Sequence, residues 1–182
     1  MFAPTMDIQS VIEEEHMEIA GIFEKVSYNQ FRESFPDMPG EQVNTIYEKL
    51  KLPCRATKGS AGYDFFTPYE ISLKPGETIK IPTGVRAKMN SGWVLHLYPR
   101  SGLGFKYRLQ LNNTVGIIDS DYFHSDNEGH IFAKITNDSR EGKTVELKAG
   151  EGFMQGIFLP YGITADDATT AERNGGFGST NA

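Results

Sequence analysis

Cysteine is almost absent from this sequence. Cys54 is the one cysteine in 182 residues, so no disulfide can close within the chain and no CxxC pair exists. Zinc sites built on cysteine pairs are thereby excluded. Long apolar runs are missing as well. The longest stretch free of Asp, Glu, Lys and Arg is Gly152–Ala165, 14 residues that include Gly and Pro. A helical membrane span needs about 20 mostly apolar residues. No Lys or Arg precedes Lys25, so the basic leader of a signal peptide is lacking. Positive charge is in deficit: 18 Lys and Arg stand against 24 Asp and Glu, a net charge of −6. Neutralising many phosphates takes a basic surplus, which argues against a general nucleic-acid coat. The expectation is a soluble, cytoplasmic protein with no nucleic-acid or membrane partner.

Glycine is scarce only at the start. Of 19 glycines, Gly21 and Gly40 alone precede residue 59. The chain therefore has two compositional halves. Its apolar content, 38% with 12% aromatic, suffices for one core.

The first half reads as helical. Ser10-Val-Ile-Glu13 fits a capping box, and Ile8, Val11, Ile12, Ile19 and Ile22 form a rough apolar stripe. Glu13, Glu14, Glu15 and Glu18 give it a solvated acidic face. Ile22–Ser27 reads as a short strand. Val43, Ile46, Tyr47 and Leu50 then predict a helix over 41–51, stopped by Pro53. After Gly59, β-prone runs alternate with turn residues. Strands are expected at Glu70–Leu73, Thr78–Pro82, Val85–Met89, Trp93–Tyr98, Ile131–Thr136, Thr144–Leu147 and Met154–Leu159. Such spacing predicts an antiparallel sandwich or jelly roll. The tail, 165–182, is polar and glycine-rich and reads as a mobile arm.

Five clusters stand in order within the second half. They are Ser60-Ala-Gly-Tyr-Asp64, Pro99-Arg-Ser-Gly-Leu-Gly104, the run Asn113 to Tyr122, Gly150-Glu-Gly-Phe-Met-Gln155, and the run Arg173 to Thr180. Singly, each has an ordinary reading as a turn. Together and in this order the sequence resembles the trimeric dUTPase (dUTP pyrophosphatase) family, over about residues 53–182. The resemblance implies an all-β, distorted jelly-roll barrel in a dUTPase domain at 53–182. A largely helical N-terminal extension, 1–52, would precede it as a cap on the trimer. It implies a homotrimer with shared active sites that hydrolyses dUTP to dUMP and pyrophosphate. Uracil incorporation into DNA would thereby be limited and dUMP supplied for dTMP synthesis.

The same resemblance assigns roles. Asp119 would orient and deprotonate the water that attacks the α-phosphorus. Arg100 and Arg173 would offer guanidinium forks to phosphate oxygens, a local remedy in an acidic chain. Ser101, Gly102, Gly178, Ser179, Thr180 and Gln155 would complete the phosphate cradle. The hairpin at Gly116, Ile117 and Ile118, with Asn113, would read uracil through backbone groups. Tyr122 would lie on the deoxyribose and exclude a 2′-hydroxyl, and Phe177 would stack on the base. Asp64 would brace an arginine. Mg2+ would enter mainly on the substrate phosphates, with no protein metal site.

Three departures from the family pattern are visible. About five extra residues follow Tyr122, and within them His124, Asp126, Glu128 and His130 alternate as on one face of a strand. They read as a solvated hairpin tip, with a metal site as the alternative. The fifth motif is one residue short and ends in Asn181, and residues 1–52 lie outside the pattern. Two other functions stay open. In the related deoxycytidine triphosphate deaminases, a catalytic glutamate would fall on Lys134. A nucleotide-sensing regulator without turnover is the other.

Overall fold

The computed structural model describes residues 18–171. The expected first helix around Ser10–Glu13 lies outside them. In chain order the elements are β1 (Gly21–Lys25), α1 (Tyr28–Arg32), α2 (Gly40–Glu48), β2 (Cys54–Arg55), β3 (Tyr63–Phe66), β4 (Ile71–Leu73), β5 (Thr78–Pro82), β6 (Val85–Met89), β7 (Trp93–Pro99), α3 (Ser101–Tyr107), β8 (Leu109–Leu111), β9 (Gly116–Ile118), a 3-10 helix (Ser120–His124), β10 (Phe132–Asn137), β11 (Val145–Leu147) and β12 (Gly152–Pro160).

Every strand pairing among the described residues is antiparallel. Five strands form the largest sheet, in the order β2-β3-β12-β7-β9, and three form another, β5-β10-β8. Two pairs, β1-β6 and β11-β4, complete the arrangement. The mostly β fold is consistent with the expected jelly roll.

Alternation sets the strands. In β10, Ala133 and Ile135 turn inward while Lys134 points to solvent. Ile81 on β5 and Leu109 and Leu111 on β8 meet them in one core with Phe65, Leu95, Leu97, Ile118 and Phe153. The central strand β12 is buried on both faces at Phe153 and Met154.

The N-terminal segment is not wholly helical. Strand β1 lies against β6, with Gly21 opposite Met89 and Lys25 opposite Val85. Helices α1 and α2 bury Phe31 and Val43 in a second small cluster with Val26 and Leu50. Ser27 caps α1, its hydroxyl oxygen accepting from the Gln30 N–H. Helix α3 follows directly on β7, where the glycines of the second motif read as a turn. Leu103 and Tyr107 hold it against the main core.

Candidate active site

Three of the five motifs meet at one end of the large sheet. Strand β7 ends at Pro99, and Arg100 follows as the first flank of α3. Its Nε lies 3.3 Å from Asp64 Oδ1, and its Nη1 donates to the Gly152 carbonyl at 3.2 Å. Asp64 on β3 stands opposite Gln155 on β12, which stands opposite Tyr98 on β7. The cross-strand register thus puts motifs one, two and four side by side. Ser101 and Gly102 are exposed next to Arg100 and line a cavity of about 440 Å3 with Lys106, Glu151 and Gly152.

The third motif lines a different cavity. Strand β9 is the edge of the large sheet, paired on one side with β7, Gly116 facing Leu97 and Ile118 facing Leu95. An edge strand keeps one row of backbone donors and acceptors for a ligand. Gly116 is buried, and a Cβ there would stand 2.9 Å from Leu97 Cβ, so a side chain would push the hairpin off the sheet. Ile118 is buried, Ile117 is exposed, and Asn113 is exposed at the turn. Beside them opens a cavity of about 490 Å3, lined by Gly116, Asn112, Asn113, Asn127, Phe132, Lys80 and Lys134 among others.

Asp119 follows β9 immediately, partly buried, as the flank of the 3-10 helix. Its carbonyl accepts from the Tyr122 N–H at 3.2 Å. Tyr122 is only 3% exposed and belongs to the core. Its hydroxyl donates to the His130 carbonyl and accepts from Asn127 Nδ2, both at 2.8 Å. Asn127, rather than Tyr122, is the member of that pair on the cavity wall.

The two cavities share no lining residue. Within one chain, Arg100, Ser101 and Gly102 line one, with Asp64 on Arg100 and Gln155 across from Asp64, and Asn113 and Gly116 line the other. Arg173, Phe177, Gly178, Ser179 and Thr180 lie outside the described residues. The tail before them, 161–171, is exposed throughout.

The insertion after Tyr122 is neither a strand nor a solvated tip. His124 ends the 3-10 helix, Asp126 is exposed, and Glu128 has a positive φ of 57°. His130 is fully buried, its Nε2 accepting from the Gly84 N–H at 2.9 Å. The four side chains share no face. No group of three or more His, Cys, Asp or Glu placed to hold a metal occurs among the described residues. Burial, with Lys80 nearby, lowers the His130 pKa to about 4 against a weaker upward pull from Glu128, so the ring is neutral at pH 7. Burial pushes the Glu128 carboxyl up, but two hydrogen bonds from Ser27, with Arg86 and His130, outweigh it and set its pKa below the ordinary value.

Lys80, Lys134, Asn112, Asn127 and Phe132 were not legible as cavity residues. Lys80 and Lys134 stand directly opposite across β5 and β10. Alternation marks both as outward-facing, but only the register joins them. Like charges so placed repel, and Lys80 rests on the Phe132 ring, 4.2 Å from its centroid.

Comparison with known proteins agrees with this architecture. The dUTPase family model matches residues 48–181. The deoxyuridine 5′-triphosphate nucleotidohydrolase of Lactococcus lactis subsp. lactis is 43% identical over 148 residues, 79% of this chain and 97% of that protein. The dUTPase of Streptococcus mutans superposes with a TM-score of 0.58 at 37% identity, covering 78% of this chain and 97% of that one. A dUTPase from phage phi11 of S. aureus, solved with a structural Mg(II) ion, shares the fold at a TM-score of 0.55 and 23% identity, covering 68% and 92%. A mostly β nucleotidohydrolase-type fold is thus defined. This chain belongs to the dUTPase family.

Proposed function

We propose that this protein hydrolyses dUTP to dUMP and pyrophosphate as a homotrimer with shared sites. The observation that carries the reading is the division of the motifs. An arginine-bearing patch suited to phosphates and a cavity beside an edge strand have no lining residue in common within one chain. A ligand needing both would be met by two copies.

Uracil offers acceptor, donor and acceptor along its pairing edge, a pattern that backbone groups near Gly116, Ile117 and Ile118 can match with help from Asn113. Asp119 directs a water at the α-phosphorus and takes its proton. Arg100, braced by Asp64, offers its fork to phosphate oxygens, and Ser101, Gly102 and Gln155 add donors. By their motif, Arg173, Gly178, Ser179 and Thr180 are assigned to the phosphates and Phe177 to the base. Phosphoryl transfer asks mainly for positioning and charge neutralisation. The arginine, lysine and amide donors of the two cavities fit a substrate that brings its own Mg2+, and that ion neutralises phosphate charge when bound. The substrate is then the Mg2+ complex of dUTP. Lys134, an ammonium on the cavity wall, is a poor fit to the carboxylate a deaminase needs.

Incubating the purified protein with dUTP and Mg2+ and measuring dUMP and pyrophosphate tests the reading. Equimolar release of both is expected. Absence of release, or formation of a uracil nucleotide from dCTP, would overturn it.

A further inference from the structure

The insertion after Tyr122 has no part in the five motifs, yet it joins three places. Its turn is tight: the Glu128 N–H donates to the Ser125 carbonyl at 2.7 Å, and the His130 N–H to the Asn127 carbonyl at 3.0 Å. Gly129 has a φ of 70°, and a Cβ there would lie 2.7 Å from Phe123 Cα and 2.8 Å from the Tyr122 carbonyl oxygen. Only glycine closes the turn this tightly on the 3-10 helix.

One side of the turn holds the N-terminal helices. Glu128 Oε2 accepts from the Ser27 N–H at 2.7 Å, and Oε1 from its hydroxyl at 2.6 Å. Ser27 in turn caps α1. The His130 ring packs between Phe31 of α1 and Phe132 of the cavity wall, with centroids at 6.1 and 4.2 Å. The other side holds Tyr122. The tyrosine's one hydroxyl proton goes to the His130 carbonyl, so its oxygen accepts from the Asn127 amide, and the amide's orientation is set. In that orientation Asn127 Oδ1 is buried with no hydrogen-bond partner. Asn127 also lines the cavity beside β9.

We infer that Asn127 is a substrate-positioning residue, which holds Tyr122 and the cavity wall in the geometry that accepts a deoxynucleotide. The Glu128–Ser27 contact makes the N-terminal helices the support of that wall. The inference rests on the dUTP reading above. It assigns the insertion and the extension to substrate selection.

The test uses the full chain, with kcat and KM for dUTP and UTP measured for wild type, Asn127→Ala, Ser27→Ala and Ser27→Thr. Asn127→Ala should raise the KM for dUTP and lower the dUTP/UTP preference, each about tenfold, with kcat within about twofold. Ser27→Ala, at an exposed position, should shift both the same way by about threefold, and Ser27→Thr, which keeps the hydroxyl, should restore them. Values of KM and preference within about twofold of wild type in Asn127→Ala would overturn the inference while leaving the proposed activity intact. So would a lower yield of active enzyme with KM and preference unchanged. A wild type that does not hydrolyse dUTP would overturn the activity, and this inference with it.

Discussion

Asp119 and His130 carry the sharpest expectations for single residues. A general base within reach of a water contributes about 10²–10⁴ in rate, so Asp119→Asn should lower kcat by that order while dUTP binding stays within a few-fold. Single-turnover assays and calorimetry with a non-hydrolysable analogue check this, and near-wild-type turnover would contradict it. His130 makes stability depend on pH. Its folded pKa is about 4 against an ordinary 6.5, so between these values the unfolded chain binds a proton that the folded chain refuses. Stability therefore falls as pH drops from about 6.5 to 4, by on the order of 3 kcal/mol, and this contribution is flat outside that window. Urea unfolding at pH 7 and pH 4.5 should show a smaller loss in His130→Gln than in wild type. Parallel losses would sink this account of His130. Arg100, Asp119 and Gln155 could be singled out as candidates because they sit in ordered motifs. The burial of His130 was not legible, because it depends on the Gly84 amide, 46 residues away in sequence.

Among the elements, those with strict alternation were legible to the residue. Strands β5 and β6 run at Thr78–Pro82 and Val85–Met89 as their patterns predict. Helix α3 escaped because Gly102 and Gly104 carry low helix propensity, and packing of Leu103 and Tyr107 on the core overrides it. The insertion escaped for a related reason. Four polar residues at period two read as one strand face, but Glu128 finds its partner at Ser27, 101 residues away. The N-terminal helices are accordingly part of the fold's energetics. Phe31 is fully buried against Phe35 and Tyr47. Phe31→Ala should cost about 3–5 kcal/mol in urea unfolding, and a cost below about 1 kcal/mol would mean that the helices are not integral to the fold.

For the whole molecule, the net charge of −6 and a polyphosphate substrate are reconciled locally, by Arg100 at one cavity and Lys80 and Lys134 at the other. Large apolar side chains stand exposed near these places: Phe105 on α3 is 92% exposed and Ile117 on β9 is 54% exposed. Such side chains suit coverage by a second copy. No sequence pattern can show which chain covers which, since it does not show which residues line which cavity. If sites are shared, two inactive variants should complement each other. Asp119→Asn lacks the base and Arg100→Ala lacks the phosphate fork, each in a different chain of a shared site. After subunit exchange at equal amounts, about a quarter of the sites in randomly mixed trimers would pair an intact Asp119 with an intact Arg100. The most direct measurement is dUMP release by that mixture. Recovery to about a quarter of wild-type activity is predicted by random assortment, and a mixture as inactive as its two components, beside an active wild type, would contradict the shared site.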